Sequence, residues 1–137
     1  MDPTPARLLL VTAAALIDVD GRVLVQRRPL NGALGGLWEF PGGKLEPGER
    51  PESGLIRELR EELGIEVDQA SLSPITFASA DIGDRHLVLL LFLCRQWRGT
   101  PEPIWADALQ WVQPSALTAL HMPPADGPLI KLLERLL

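Results

Sequence analysis

Hydrophobic positions open the chain as two short runs, at residues 8–17 and at Val23-Leu24-Val25, separated by a polar stretch that contains Asp20-Gly21. Apolar runs joined across an Asp-Gly step predict a β-hairpin, here with strands over 8–17 and 22–27. Arg7 ahead of an apolar run with small residues at Ala13, Ala14 and Ala15 also has the outline of a secretory leader. That run is too short to span a bilayer and feeds directly into the turn, so the hairpin is the better reading. Residues 28–50 are dense in Gly and Pro and predict a long loop, a feature often functional in a compact domain.

Pro51 to Leu63 predicts a helix. Leu55, Ile56, Leu59 and Leu63 repeat along one face, Pro51 suits the first helical position, and Gly64 suits the C-terminal cap. Arg50 is a poor N-cap, and Gly54 costs about 1 kcal/mol against alanine in a helix interior. Further strands are predicted over 75–80, 86–97 and 109–112, with a turn over 81–84. A C-terminal helix is predicted over 128–137, after a loop carrying Pro123-Pro124. No repeat, low-complexity tract or linker interrupts the pattern. The irregular alternation predicts an α/β fold, a mixed sheet flanked by helices, in one domain over 1–137.

The helix carries the chemistry. Glu58, Glu61 and Glu62 stand at i, i+3 and i+4 and cover an arc of about 100°. Glu62 lies about 20° from Leu55 around the wheel, at the edge of the buried stripe. Like charges at this spacing repel by about 0.2–0.5 kcal/mol per pair on an exposed helix. A solvated charged face softened by Arg57 and Arg60 is the plain alternative. Carboxylates beside an apolar stripe, preceded by a glycine loop that a phosphate chain can approach, instead suit hard divalent cations.

Composition narrows the setting. The 137 residues are 46% hydrophobic and 23% charged, a globular balance. A net charge of −5, with no basic tail, argues against a protein that coats nucleic acid. A polyanionic substrate remains compatible where cations bridge the partners. The single Cys94 and the two histidines, His86 and His121, leave little for a structural zinc site and point to a reducing cytoplasm.

These residues resemble a known family. Gly43, Glu49 and the run Arg57-Glu58-Leu59-Arg60-Glu61-Glu62-Leu63-Gly64-Ile65 fit the Nudix box: Gly, five residues, Glu, seven residues, Arg-Glu-aliphatic-any-Glu-Glu-any-Gly-aliphatic. At about 7% frequency per residue type, a chance match at a given start is on the order of 10⁻⁸. The likeness runs nearly end to end and is closest to the MutT branch, whose members hydrolyse oxidised guanine nucleotides. Beyond the box it takes in Gln26-Arg27-Arg28, Leu37-Trp38-Glu39-Phe40-Pro41-Gly42-Gly43-Lys44, Asp84-Arg85-His86, Trp111-Val112 and Pro123-Pro124-Ala125-Asp126.

The resemblance implies an α/β/α sandwich around a mixed sheet. It implies Mg²⁺, with Mn²⁺ able to substitute, held by Glu58, Glu61, Glu62 and the Gly43 carbonyl. It places Arg57 and Glu49 as the pair that orients the carboxylates. Arg28, Gly42, Lys44 and Arg85 fall where the family contacts phosphate or nucleotide, and Phe40 and Asp126 fall at the base. Which glutamate acts as general base varies within the family, and Glu61 is the one expected in this chain. The implied reaction turns a nucleoside triphosphate, 8-oxo-dGTP foremost, into a monophosphate and pyrophosphate, so cleansing the precursor pool for DNA replication and repair. No membrane or nucleic-acid polymer is implied, and the protein would be a monomer or homodimer in the cytoplasm.

Two positions depart from the pattern. Where MutT-like proteins often carry a glutamate in the loop before the Trp111 strand, this chain has Trp105, with Asp107 and Glu102 nearby. At the base-reading position, usually Asn, it has Asp126. Asn donates and accepts, whereas an ionised Asp only accepts. Asp126 therefore opens CTP, dCTP or a methylated relative as an alternative substrate, unless it merely caps the helix near Pro128. A non-catalytic nucleotide- or RNA-recognition module is the alternative of another class, and the retained glutamates argue against it. Leu37 and Phe40 divide between base pocket and core. Arg27 and Arg28 would face opposite ways on a strand. Trp38, Trp97 and Trp111 read as structural, His86 as a strand-end residue, and Cys94 as inert.

Overall fold

The computed structural model describes residues 7–137. Its strands are β1 (Arg7–Leu16), β2 (Val23–Arg27), β3 (Trp38–Glu39), β4 (Gly42–Lys44), β5 (Leu72–Ile82), β6 (Arg85–Cys94) and β7 (Ala108–Val112). The helices are α1 (Pro51–Leu63) and α2 (Gly127–Leu136), and 3₁₀ turns cover Gln69–Ser71, Pro114–Ala119 and Pro124–Asp126.

The strands form two sheets. One is mixed, in the order β4-β1-β6-β5, with β1 and β6 parallel; the other is antiparallel, in the order β3-β2-β7. Alternation along β1 decides what lies on each side. Ala14 and Leu16 meet Leu55, Leu59 and Leu63 of α1, while Ala13 and Ala15 meet the layer of Leu129, Ile130 and Leu133 of α2. Each fully buried leucine contributes about 2 kcal/mol, and helices on both faces complete the α/β/α sandwich. The apolar run that resembled a leader is strand β1, whose second half, Thr12 to Leu16, is buried on both faces, the environment that favours unbroken hydrophobic sequence.

The expected hairpin does not form. Beyond a single Ile17–Val23 bridge, β1 and β2 separate, and each pairs within a different sheet. Asp18 holds the turn by accepting from the backbone N–H groups of Asp20 and Arg22 and from the Arg22 guanidinium, at 2.8–3.0 Å. The predicted 28–50 loop contains β3 and β4, too short for periodicity to reveal. Strand β5 begins at Leu72 rather than at 75, running through Pro74 with a register shift before Thr76. An edge strand tolerates proline because one side of its backbone is unpaired. Strand β6 stops at Cys94 rather than at 97, and Trp97 instead stacks on Trp111 with ring centroids 6.0 Å apart. Helix α2 starts at Gly127, one residue before the expected 128.

Candidate active site

The site is built where β4 lies against α1. Gly42 has φ 152°, and a Cβ there would sit 2.0 Å from the Thr12 carbonyl oxygen and 2.7 Å from Ala13 Cα. Only glycine lets β4 press this closely on β1. At Gly43 a Cβ would fall 2.6 Å from the Glu58 carboxyl carbon, so the glycine leaves room for that carboxylate. Gly42→Ala is expected to destabilise the fold by about 3 kcal/mol or more, since strain and a backbone clash add. Urea denaturation checks this; a midpoint equal to wild type would refute the close approach.

Arg57 ties the loop to the helix. Its Nε and Nη2 donate to both oxygens of Glu49 at 2.8 and 2.9 Å, and Nη2 also reaches the Lys44 carbonyl at 3.2 Å. Nη1 donates to Glu58 at 2.9 Å and to Glu61 at 3.3 Å. The Arg57 hydrogen bonds, with the Glu46 N–H, hold the Glu49 carboxyl down at about 2. Gly54, an apparent flaw in the helix, admits this buttress, because a Cβ there would lie 2.8 Å from Glu49 Oε1. The repulsion expected among the glutamates is thus relieved by Arg57, a basic residue of their own helix and one of the two that the sequence offered for this.

Glu62 faces inward and is only 7% exposed. Its Oε1 accepts from the Gly42 N–H at 3.1 Å and its Oε2 from Gln26 Nε2 at 3.0 Å. Burial pushes its carboxyl up to about 8 despite these donors. Glu58 is also raised, chiefly by burial, while the Glu61 side chain is 59% exposed. Among the described residues no three acidic, His or Cys side chains form a ready-made cation cage. Arg57 and Gln26 hold the glutamates toward separate partners.

The donor set nevertheless fits a hard divalent cation. It offers carboxylate oxygens only, and Glu58 packs directly on Gly43, whose carbonyl can join it.

The other sequence candidates fall into three groups. Lys44 is exposed beside Gly43. Arg28 is engaged: it donates to Glu39 at 3.0 Å and to the Ala33 carbonyl at 2.9 Å, and its guanidinium lies 5.2 Å from the Trp105 ring centroid. Arg85 is remote. It opens β6 four residues from Leu89, which is level with Val11 and Lys44, a run of about 13 Å along the strand. Of the two loop acids, Asp107 is paired with Arg27 at 2.7 Å, and Glu102 is exposed where its N–H meets the Leu63 carbonyl. His86 pairs with Asp81 at 2.7 Å across the β5–β6 hairpin.

Phe40 is buried in the core beneath α2, at 4% exposure. Asp126 sits at the N-cap position of α2, yet its side chain makes no capping hydrogen bond. It is 5% exposed, and burial, with nearby Glu39, pushes its carboxyl up to about 7. Burial also raises Glu39, against the pull of Arg28 and Gln26. Glu39 and Gln26 escaped the sequence reading as site residues. A polar residue at the strand position following Leu24 on the same face was the available signal.

This arrangement matches known proteins. The NUDIX domain model matches residues 12–132, and the chain belongs to that family. It is therefore a hydrolase of phosphoric anhydrides, and enzymes of the family generally require a divalent metal. The chain is 44% identical over 88 residues to an 8-oxo-dGTP diphosphatase of Proteus vulgaris, covering 64% of this chain and 77% of that one. It is 35% identical over 123 residues to a CTP pyrophosphohydrolase of Escherichia coli, covering 90% of each. The solution structure of the E. coli ORF135 protein superposes with a TM-score of 0.84 at 34% identity, covering 96% of this chain and 91% of that one. No helix among the described residues is long and apolar enough to cross a membrane.

Proposed function

We propose that the protein is a Mg²⁺-dependent pyrophosphohydrolase that converts 8-oxo-dGTP to its monophosphate and pyrophosphate in the cytoplasm. The observation carrying this reading is the bare Gly42-Gly43 backbone packed on the box-helix carboxylates. Glycine at 43 leaves the space a side chain would take to the Glu58 carboxylate, where a cation can join that carboxylate to a phosphate chain. In this reading Glu58, Glu61, Glu62 and the Gly43 carbonyl hold the cation. Bound there, Mg²⁺ supplies charge neutralisation on the phosphates and a more acidic water. Glu61, the most exposed of the three, accepts the proton of the attacking water. Arg57 and Glu49 keep the carboxylates in place. Lys44 takes a phosphate oxygen, and Arg28 exchanges Glu39 for another.

Asp126 reads the base. As a neutral acid it donates to a keto oxygen and accepts from a ring N–H, doing the work of an asparagine. Once ionised it only accepts, which suits the exocyclic amine of cytosine. The similarity to a CTP pyrophosphohydrolase supports this second reading. The raised carboxyl fixes the sign. Asp126 is neutral below about 7 and charged above it, so the kcat/KM ratio of 8-oxo-dGTP to CTP should fall as pH rises through 7. Taking a ratio cancels effects common to the metal centre. Asp126→Asn should flatten the trend. A panel of triphosphates with product analysis tests the assignment. CTP fastest, with no preference for 8-oxo-dGTP over dGTP, would transfer it to the second reading.

A further inference from the structure

We infer that Gln26 is a positioning residue that clamps Glu62 in the orientation needed to bind the cation, an inference that rests on the metal reading above. Strand alternation turns Gln26 and Leu24 to the α1 side of β2, and Gln26 is completely buried. Its Nε2 donates to Glu62 Oε2 at 3.0 Å, while the Gly42 N–H donates to Oε1 at 3.1 Å. Donors from two separate strands therefore grip the two ends of one carboxylate. A carboxylate has about four acceptor sites, so about two remain in fixed directions for a cation.

The amide is costly in this position. Its Oε1 is buried without a hydrogen-bond partner among the described residues. A leucine or methionine would fill the same core space without this orphaned amide oxygen, but would take the donor from Glu62 Oε2. Strand pairing also sets Gln26 directly opposite Glu39, where the amide helps hold that carboxylate ionised. One side chain thus joins the metal half of the site to the half that contains Arg28 and Asp126. Partners that orient a metal ligand typically change cation affinity by about 10–100-fold when lost.

The test is Mn²⁺ binding to the metal-free protein, followed by electron paramagnetic resonance and by calorimetry. Gln26→Met should weaken binding at least about tenfold, while the far-UV circular dichroism of the metal-free protein stays that of the wild type. In a Glu62→Gln background, which itself binds weakly, the same change should have no further effect. Gln26→Asn, too short to reach Glu62, should reproduce the weakening, and it serves if the methionine variant does not fold. Wild-type affinity in a folded Gln26→Met protein, with Glu62→Gln weakened, would overturn the positioning role alone. Failure of the wild type to take up Mn²⁺ would overturn the metal reading and this inference with it.

Discussion

Glu61→Gln is expected to lower kcat for triphosphate hydrolysis by about two to four orders of magnitude, the usual contribution of a positioned general base. The fold should not register the change. Glu61 is 59% exposed, and among the described residues its side chain has one hydrogen bond, from Arg57 at 3.3 Å, which an amide oxygen can still accept. Arg57 keeps its shorter bonds to Glu49 and Glu58, so the scaffold stays wired. Thermal midpoint and far-UV circular dichroism should match wild type while single-turnover kinetics collapse. Undiminished turnover in this variant would remove Glu61 from the chemistry. Turnover lost together with the fold would instead make Glu61 structural.

Glu62→Gln should do the opposite to stability while also abolishing tight cation binding. Burial holds the Glu62 carboxyl near 8, against an ordinary value of 4.5. Between those values the folded protein binds more protons than the unfolded chain, so stability is full below about 4.5 and declines as pH rises toward 8. At pH 7 the decline amounts to about 3 kcal/mol, at 1.36 kcal/mol per unit. Glutamine carries no charge and escapes this penalty, but either Gln26 or Gly42 loses an acceptor, at about 1–2 kcal/mol. The net expectation is a metal-free protein about 1–2 kcal/mol more stable than wild type near pH 7, with no gain near pH 4. Melting curves in chelator across that range decide the matter. Parallel curves for the two proteins would show that Glu62 carries no such burden. A residue that costs stability when empty and gains its purpose with a cation is the expected compromise at a functional site.

Much of this was legible along the chain. The spacing of Glu49, Arg57, Glu58, Glu61 and Glu62 is a local property, because one helix and the loop before it carry the whole constellation. Helix α1 itself runs from Pro51 to Leu63 as its leucine period and terminal residues require. The wheel also put Glu62 at the margin of the buried stripe, where it lies.

The tertiary structure decided the rest, through pairings between distant parts of the chain. The apolar runs of β1 and β2 could not show that the strands leave each other for different sheets, because a hydrophobic run marks a buried strand and never its partner. The inward turn of Glu62 depends on Gln26, 36 residues away. The weakened acidity of Asp126 depends on burial beside Glu39, far off in the chain. The sequence by itself determined the reagents and the helix that carries them, since those follow from residue type and short-range spacing. Only the folded core decided which carboxylates are dry, which are paired and which face solvent, because desolvation is set by neighbours that sequence order does not reveal.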